Sequence, residues 1–253
     1  MTRAIPPNPP SFGEVAPRYD ELRPVDDSWW EVFEALVREG DLRTRRVLEV
    51  GCGTGKFAGA LVERAACRVW GVDASPEMLN VARADVPGVR FKQARAEELP
   101  FKDGWFERVV LRMSLHLLDR PRALAESRRV LGLGGRVAIA TPDPAQLGSS
   151  WFDPYFPSLA EVDRERMPSR AALEQELAAA GFAESRIATL VQAKTITRDE
   201  ALSKIRAKAF STFQLIPQDE YEAGLARAER DLPERSAYPH KWLIATADVP
   251  GVA

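Results

Sequence analysis

The stretch RVLEVGCGTGKFAG, residues 46–59, places Gly51, Gly53 and Gly55 between an apolar run and Lys56. Glu49 stands two residues before the first glycine, and Asp73 stands twenty beyond Gly53. Glycines let a main chain approach a ligand without a Cβ in the way, and carboxylates at the rim accept from hydroxyls or hold a cation. A triphosphate loop needs G-x-x-x-x-G-K-[ST]. Here the span from Gly51 to Lys56 is one residue short, and Phe57 replaces the magnesium-binding hydroxyl. A dinucleotide loop, G-x-G-x-x-G/A, fits loosely from Gly53 through Gly55 and Ala58, with Asp73 as ribose partner. An oxidoreductase therefore stays open on these residues alone. Cys52 and Cys67 have no metal-ligand spacing, and no nucleophilic triad is visible.

Alternating elements must position these groups. An apolar run, Val47–Val50, leads into the glycines and a helix follows through Val62. Arg68–Val72 reads as a strand ending on Asp73, and Ser75 and Pro76 open the next helix as cap and first residue. Val89–Lys92, Phe106–Leu111 and Arg136–Ala140 read as three more strands, with a helix over Leu124–Leu131. Strands alternating with helices predict a parallel sheet covered on both faces. Residues 27–39 have helical apolar spacing at Trp29, Trp30, Phe33, Leu36 and Val37, with an Asp or Ser cap. The first dozen residues carry four prolines and are expected to be mobile. After Thr141 the chain turns proline- and aromatic-rich, as a loop or lid. A Ser-capped helix follows over 169–181, then strands at Arg186–Thr197 and Lys241–Thr246 around a mostly helical 199–231. The organisation expected is a mobile start and helical cover (1–40), a ligand-binding core (41–145) and a lid region with the final strands (146–253).

The 253 residues are 45% hydrophobic and 28% charged, enough for a substantial core. A net charge of −2 gives no field favouring nucleic acid or an anionic membrane. No run of 18 apolar residues occurs and the start lacks the order of a signal peptide, so a cytoplasmic location is expected.

Four blocks in order give the chain a family likeness. EVGCGTG (49–55), VDASPEML (72–79), AEELPFKDGWFERVV (96–110) and ESRRVLGLGGRVAIA (126–140) resemble the class I S-adenosylmethionine-dependent methyltransferases, especially the quinone-biosynthesis-like branch. The likeness covers about residues 45–141 and, more loosely, Phe12–Pro24. It implies a doubly wound, mostly parallel seven-stranded α/β sheet, N-terminal helices and an inserted helical lid. It also implies S-adenosylmethionine as cofactor, S-adenosylhomocysteine as product and no metal. By resemblance, Glu49 organises the amino end of the cofactor and Asp73 accepts from the ribose hydroxyls. Met78 lies on the adenine. Gly51, Cys52, Gly53, Gly55, Ala74, Ala96, Glu97 and Leu111 complete that site. One departure stands out: Arg95 occupies the position where the family has an aspartate reading the adenine amine. An arginine cannot accept from that amine, so Arg95 is expected to turn away and leave the adenine edge to the main chain near Ala96.

Methyl transfer from a sulfonium is an in-line displacement that needs alignment first and a base only if the acceptor must lose a proton. The catalytic candidates are His116, after the fourth strand, where the family places residues near the transferred methyl, and Tyr19, in PRYDELRP, which resembles a family tyrosine that closes over the cofactor; His240 is read as incidental. Arg23, Trp151, Tyr155 and Phe210 are candidates for holding a small, apolar or aromatic acceptor. DPYF (153–156) is like the D/N-P-P-Y motif of amino methyltransferases but follows the fifth strand rather than the fourth, so it is set aside. Partners beyond the small-molecule substrate are not expected: no nucleic acid, no membrane, a monomer or homodimer. The alternatives are a nicotinamide-dependent oxidoreductase and a cofactor-binding protein without transferase activity.

Overall fold

The computed structural model describes residues 12–13 and 16–251; the proline-rich residues 1–11, expected to be mobile, lie outside it. Seven strands form one sheet in the order β3-β2-β1-β4-β5-β7-β6. They are β1 (Arg46–Val50), β2 (Arg68–Asp73), β3 (Arg90–Gln93), β4 (Phe106–Arg112), β5 (Leu131–Pro142), β6 (Ala183–Thr197) and β7 (Arg235–Asp248). The first five pair in parallel; β7 runs antiparallel to β5 and to β6. This is the doubly wound sheet that the alternation of elements predicts.

The helices are α1 (Tyr19–Leu22), α2 (Asp27–Glu39), α3 (Lys56–Ala65), α4 (Pro76–Asp85), α5 (Arg120–Val130), α6 (Leu159–Arg166), α7 (Arg170–Ala179), α8 (Arg198–Arg206) and α9 (Gln218–Asp231). Their starts follow local chemistry. Ser75 caps α4 by accepting from the Met78 amide, and Pro76 takes the first helical position, where its missing N–H costs nothing. Ser169 caps α7 in the same way. The α2 cap is Asp26, one residue earlier than the sequence suggests, because its carboxylate reaches the Trp29 amide at 2.8 Å.

Successive strand residues serve opposite faces of the sheet. Leu48, Val109 and Val137 join Leu124 of α5 and Leu173 of α7 in one apolar layer. Val47, Val110 and Ala138 join Phe33 of α2 and Phe57 of α3 in the other. A third apolar cluster belongs to the lid, where Phe156, Leu159, Ile205, Phe213 and Tyr221 pack together. Strands β6 and β7 are longer than expected. Residues 242–248 of β7 pair with β5, while 235–241 pair with β6 alone. That hairpin projects beyond the carboxyl end of β5 and carries α8 and α9 over the ends of the parallel strands.

Candidate functional site

The order β2-β1-β4 marks where the chain reverses its direction across the sheet, and such a switch point opens a crevice at the carboxyl ends of the strands. A cavity of about 680 Å³ lies there, between the sheet and the lid. Its size falls within the roughly 300–1,000 Å³ of small-molecule sites.

The loop after β1 forms one wall. Gly51 has φ +75°, and a Cβ on it would sit 2.4 Å from Cβ of Ser114, in the segment after β4. The amides of Gly51 and Cys52 donate to the Val72 carbonyl at 2.8 and 3.0 Å, fixing the loop to β2. Gly53, φ +53°, meets open space, and its amide donates to Asp73 Oδ2 at 2.8 Å. Gly55 differs. Its φ is +78° and a Cβ would lie 2.7 Å from Phe91 Cζ, so it faces the packed sheet and does not line the cavity. Its glycine serves the turn and close packing rather than a ligand, which corrects its assignment to the cofactor set.

Two carboxylates stand beside this loop. Asp73 accepts from Gly53 and, through Oδ1, from the Ser75 amide at 2.9 Å. Burial raises its pKa and the amides of Ser75, Gly53 and Ala74 oppose that. Glu49 is 3% exposed, and its Oε2 has no hydrogen-bond partner among the described residues. Burial pushes its pKa up to about 8, against the pull of Arg112; Asp73 adds to the rise and the Ala58 amide at the start of α3 opposes it. Arg112, at the end of β4, lies over the rings of Trp29 and Phe57 at 5.1 and 5.8 Å, and burial lowers its pKa. Around them, Ala74, Ala96 and the buried Met78 line the cavity. Glu97 lines it too, but its Oε1 accepts from the Asp119 amide at 3.0 Å and its Oε2 pairs with Arg95 at 3.4 Å. The Arg95 side chain lines the cavity as well and is 73% exposed.

Leu111 is fully buried in the apolar layer shared with α5 and takes no part in the cavity wall. The alternation of β4 explains the correction: its neighbour Arg112 faces the cavity instead.

Helix α1 closes the cavity from the N-terminal side. Thr54 Oγ1 donates to Asp20 Oδ1 at 2.7 Å, and Lys56 Nζ lies 3.6 Å from Asp20 Oδ2. The lysine that ends the glycine stretch thus fastens the cover. Tyr19 and Arg23 line the cavity, with the Arg23 guanidinium 5.2 Å from the Tyr19 ring and 5.3 Å from Phe210. Trp151, Phe152 and Phe210 form an aromatic wall under the lid, Trp151 and Phe152 meeting edge to face at 5.1 Å.

Tyr155 is not part of that wall. Its carbonyl accepts from Arg227 Nη2 and abuts Gly224 of α9, and its ring packs into the lid cluster. Ser150, Trp151 and Phe152 face inward, so the tight turn after them carries Tyr155 to the far side. His116 does line the cavity. Burial, with Arg166 and Arg23 nearby, lowers its pKa to about 3, and its Nδ1 has no partner among the described residues. Such an imidazole is neutral, and its basicity is far below that of a general base suited to neutral pH. His240, read as incidental, also lines the cavity; its ring lies 4.8 Å from Trp242, and burial lowers its pKa to about 4.

Sequence reasoning missed Asp20, Thr54, Arg112, Arg166, Lys194 and Lys204, all of which line the cavity. Arg112 left a signal, a charge directly after the apolar run of residues 109–111. Thr54 sits within the glycine loop and Lys194 on β6, while Asp20, Arg166 and Lys204 belong to α1, α6 and α8, whose folding back over the sheet has no local signature.

Comparison with known proteins agrees with this architecture. A family model described as "Methyltransferase domain" matches residues 48–139. The demethylmenaquinone methyltransferase of Thermus thermophilus is 34% identical over 201 residues, covering 68% of this chain and 90% of that protein. The enzyme of the same name from Chlorobaculum tepidum is 34% identical over 139 residues, 52% of this chain and 57% of its own length. Among solved structures, the YcgJ protein of Bacillus subtilis superposes with a TM-score of 0.65 at 21% identity, covering 88% of this chain and all of the other, a likeness of fold. Both named relatives are methyltransferases, and the oxidoreductase reading left open by Gly53, Gly55 and Ala58 has no support among these matches. The chain belongs to the class I S-adenosylmethionine-dependent methyltransferases, in their quinone-biosynthesis-like branch.

Proposed function

We propose that the glycine-loop half of the cavity holds S-adenosylmethionine and that the half under the lid holds a small apolar or aromatic methyl acceptor. The observation that carries this reading is Glu49. A buried carboxylate with an unpartnered oxygen, beside glycines whose main chain faces a cavity, is poised for a cationic amino group. The loop also lacks what a phosphate ligand would need, since Lys56 is engaged by Asp20. The residues present therefore fit the cofactor.

In this reading Asp73, preset by two amide hydrogen bonds, accepts from the ribose hydroxyls. Met78 packs on the adenine, and main chain near Ala96 reads its edge because Arg95, which also lines the cavity, has no acceptor for the adenine amine and is paired with Glu97. Bound S-adenosylmethionine supplies a sulfonium methyl open to in-line displacement. The protein aligns the acceptor and excludes water, effects worth up to about 7–11 kcal/mol of barrier. The α1 cover, clasped to Thr54 and Lys56, and the aromatic wall of the lid perform that exclusion. His116 and Tyr19 stand on the wall as positioning groups. The neutral imidazole of His116 orients the acceptor by a hydrogen bond rather than by removing a proton.

The Thermus and Chlorobaculum relatives carry names that specify demethylmenaquinone, an apolar ring compound. That agrees in kind with an aromatic-walled acceptor site. Calorimetry with S-adenosylhomocysteine tests the reading: binding is expected with S-adenosylhomocysteine and not with NAD, and the reverse result would overturn it.

A further inference from the structure

The acceptor half of the cavity carries more positive charge than its own carboxylates neutralise. Arg23, Arg166, Lys194 and Lys204 line it, with Asp26 and Asp163 as the acidic residues on that side among those described. Both acids are engaged. Asp26 caps α2, accepts from Ser28 Oγ at 2.6 Å and lies 3.5 Å from Lys194 Nζ. Asp163 pairs with Arg166 Nη2 at 2.7 Å and accepts from Thr212 Oγ1 at 2.6 Å.

Arg23 and Lys204 are left with no carboxylate partner among the described residues. Arg23 donates through Nη2 to the Ala209 carbonyl at 2.7 Å and lies against two aromatic rings. Its Nε is buried and unpartnered, as is that of Arg166. Burial lowers the pKa of Lys204, repulsion from Arg23 and Lys194 adds to the effect, and the more distant carboxylates of Glu200 and Asp26 oppose it without pairing with it. Cations taken out of water without a counter-charge are costly. Here the surplus is gathered in one half of the cavity, while Asp20, Glu49, Asp73, Glu77 and Glu97 line the other. The two histidines of the same region, His116 and His240, are neutral imidazoles of low basicity.

We propose that the methyl acceptor enters as an organic anion, a carboxylate, phenolate or enolate, whose charge is held by Arg23 with Arg166 and Lys204 around it. Its apolar body rests on Trp151, Phe152 and Phe210. This rests on the methyltransferase reading above and names the substrate class for the same site. An anion needs no base. Its oxygen or carbon lone pair forms the new bond to the methyl carbon while the sulfur–carbon bond breaks and its electron pair stays on sulfur. The anion's negative charge and the sulfonium's positive charge cancel, and no proton moves in that step.

The test is calorimetric titration of the full chain, saturated with S-adenosylhomocysteine, with benzoate, 2-naphthoate and decanoate, each against its primary amide. At least one acid is expected to bind about tenfold or more tightly than its amide, a difference of about 1.4 kcal/mol. Arg23→Gln and Lys204→Gln, checked for folding by circular dichroism, are each expected to reduce that ratio severalfold. The preference is also expected to shrink with added salt. Amides that bind as well as every acid, or a preference unchanged in both variants, would overturn the proposal. Failure of the parent chain to bind S-adenosylhomocysteine would overturn the methyltransferase reading instead, so the two failures are distinguishable.

Discussion

A carboxylic acid sealed at the foot of a cavity keeps its proton until a cation arrives, and Glu49 is in that position. With a pKa near 8 it is mostly protonated at pH 7, and a ligand ammonium beside it would favour the charged form. Binding of S-adenosylhomocysteine at pH 7 should therefore release about one proton. The release is read from the dependence of the calorimetric heat on the buffer's ionisation enthalpy. Glu49→Gln should abolish it and weaken binding by about tenfold to a hundredfold. The same group makes the ligand-free fold pH-sensitive. Its folded pKa lies above the ordinary 4.5, so the folded state binds the extra proton and stability falls as pH rises from about 4.5 to about 8. Urea titrations at both ends of that window should show a drop that Glu49→Gln lacks. Asp73→Ala removes a different contact: it should also weaken S-adenosylhomocysteine about tenfold to a hundredfold, and unchanged affinity would refute the ribose assignment.

Within the β1–α3 turn, glycines that look alike in the sequence have unlike duties. Gly53→Ala meets open space, so its cost to stability is the left-handed strain alone, about 1 kcal/mol, while its methyl obstructs the ligand. Gly55→Ala carries the same strain and drives a methyl into Phe91, so stability should fall by about 1–3 kcal/mol. Unfolding curves set against ligand titrations separate the two, since Gly53 should move affinity more than stability. Helix α1 has a comparable logic. The Asp20 contacts to Thr54 and Lys56 are partly exposed, so Asp20→Ala should cost under about 1 kcal/mol of global stability. It should speed proteolysis and amide exchange around α1 and raise the off-rate of S-adenosylhomocysteine, because a four-residue helix depends on such tethers.

Over the whole molecule, the lid must stay registered on the sheet. Arg120 at the start of α5 holds Glu176 of α7 through paired contacts of 2.8–3.0 Å and donates to the Arg166 carbonyl at the end of α6. Arg166 in turn is one wall of the acceptor half. Arg120→Ala should cost about 2–4 kcal/mol in urea unfolding. It should also weaken acceptor binding more than cofactor binding, since Glu49 and Asp73 lie on the opposite side of the switch point.

The strand–helix alternation from Val47 to Ala140, the Ser75 and Ser169 caps and the glycine loop were legible in the sequence. They are local: continuous apolar runs, cap oxygens and backbone conformation depend on residues a few positions apart. The four ordered blocks carried the family likeness for the same reason, since each is a contiguous segment at a strand end. Which of those residues face the cavity was not local. Leu111 and Arg112 exchange roles by the phase of one strand, Gly55 turns to the sheet while Gly53 turns to the cavity, and Tyr155 leaves the wall that Trp151 forms. The gathering of Arg23 from just after α1, Arg166 from α6 and Lys204 from α8 is further still from sequence logic. Long-range packing of the cover and lid brings those charges together, and no periodicity within a segment encodes the distance between segments.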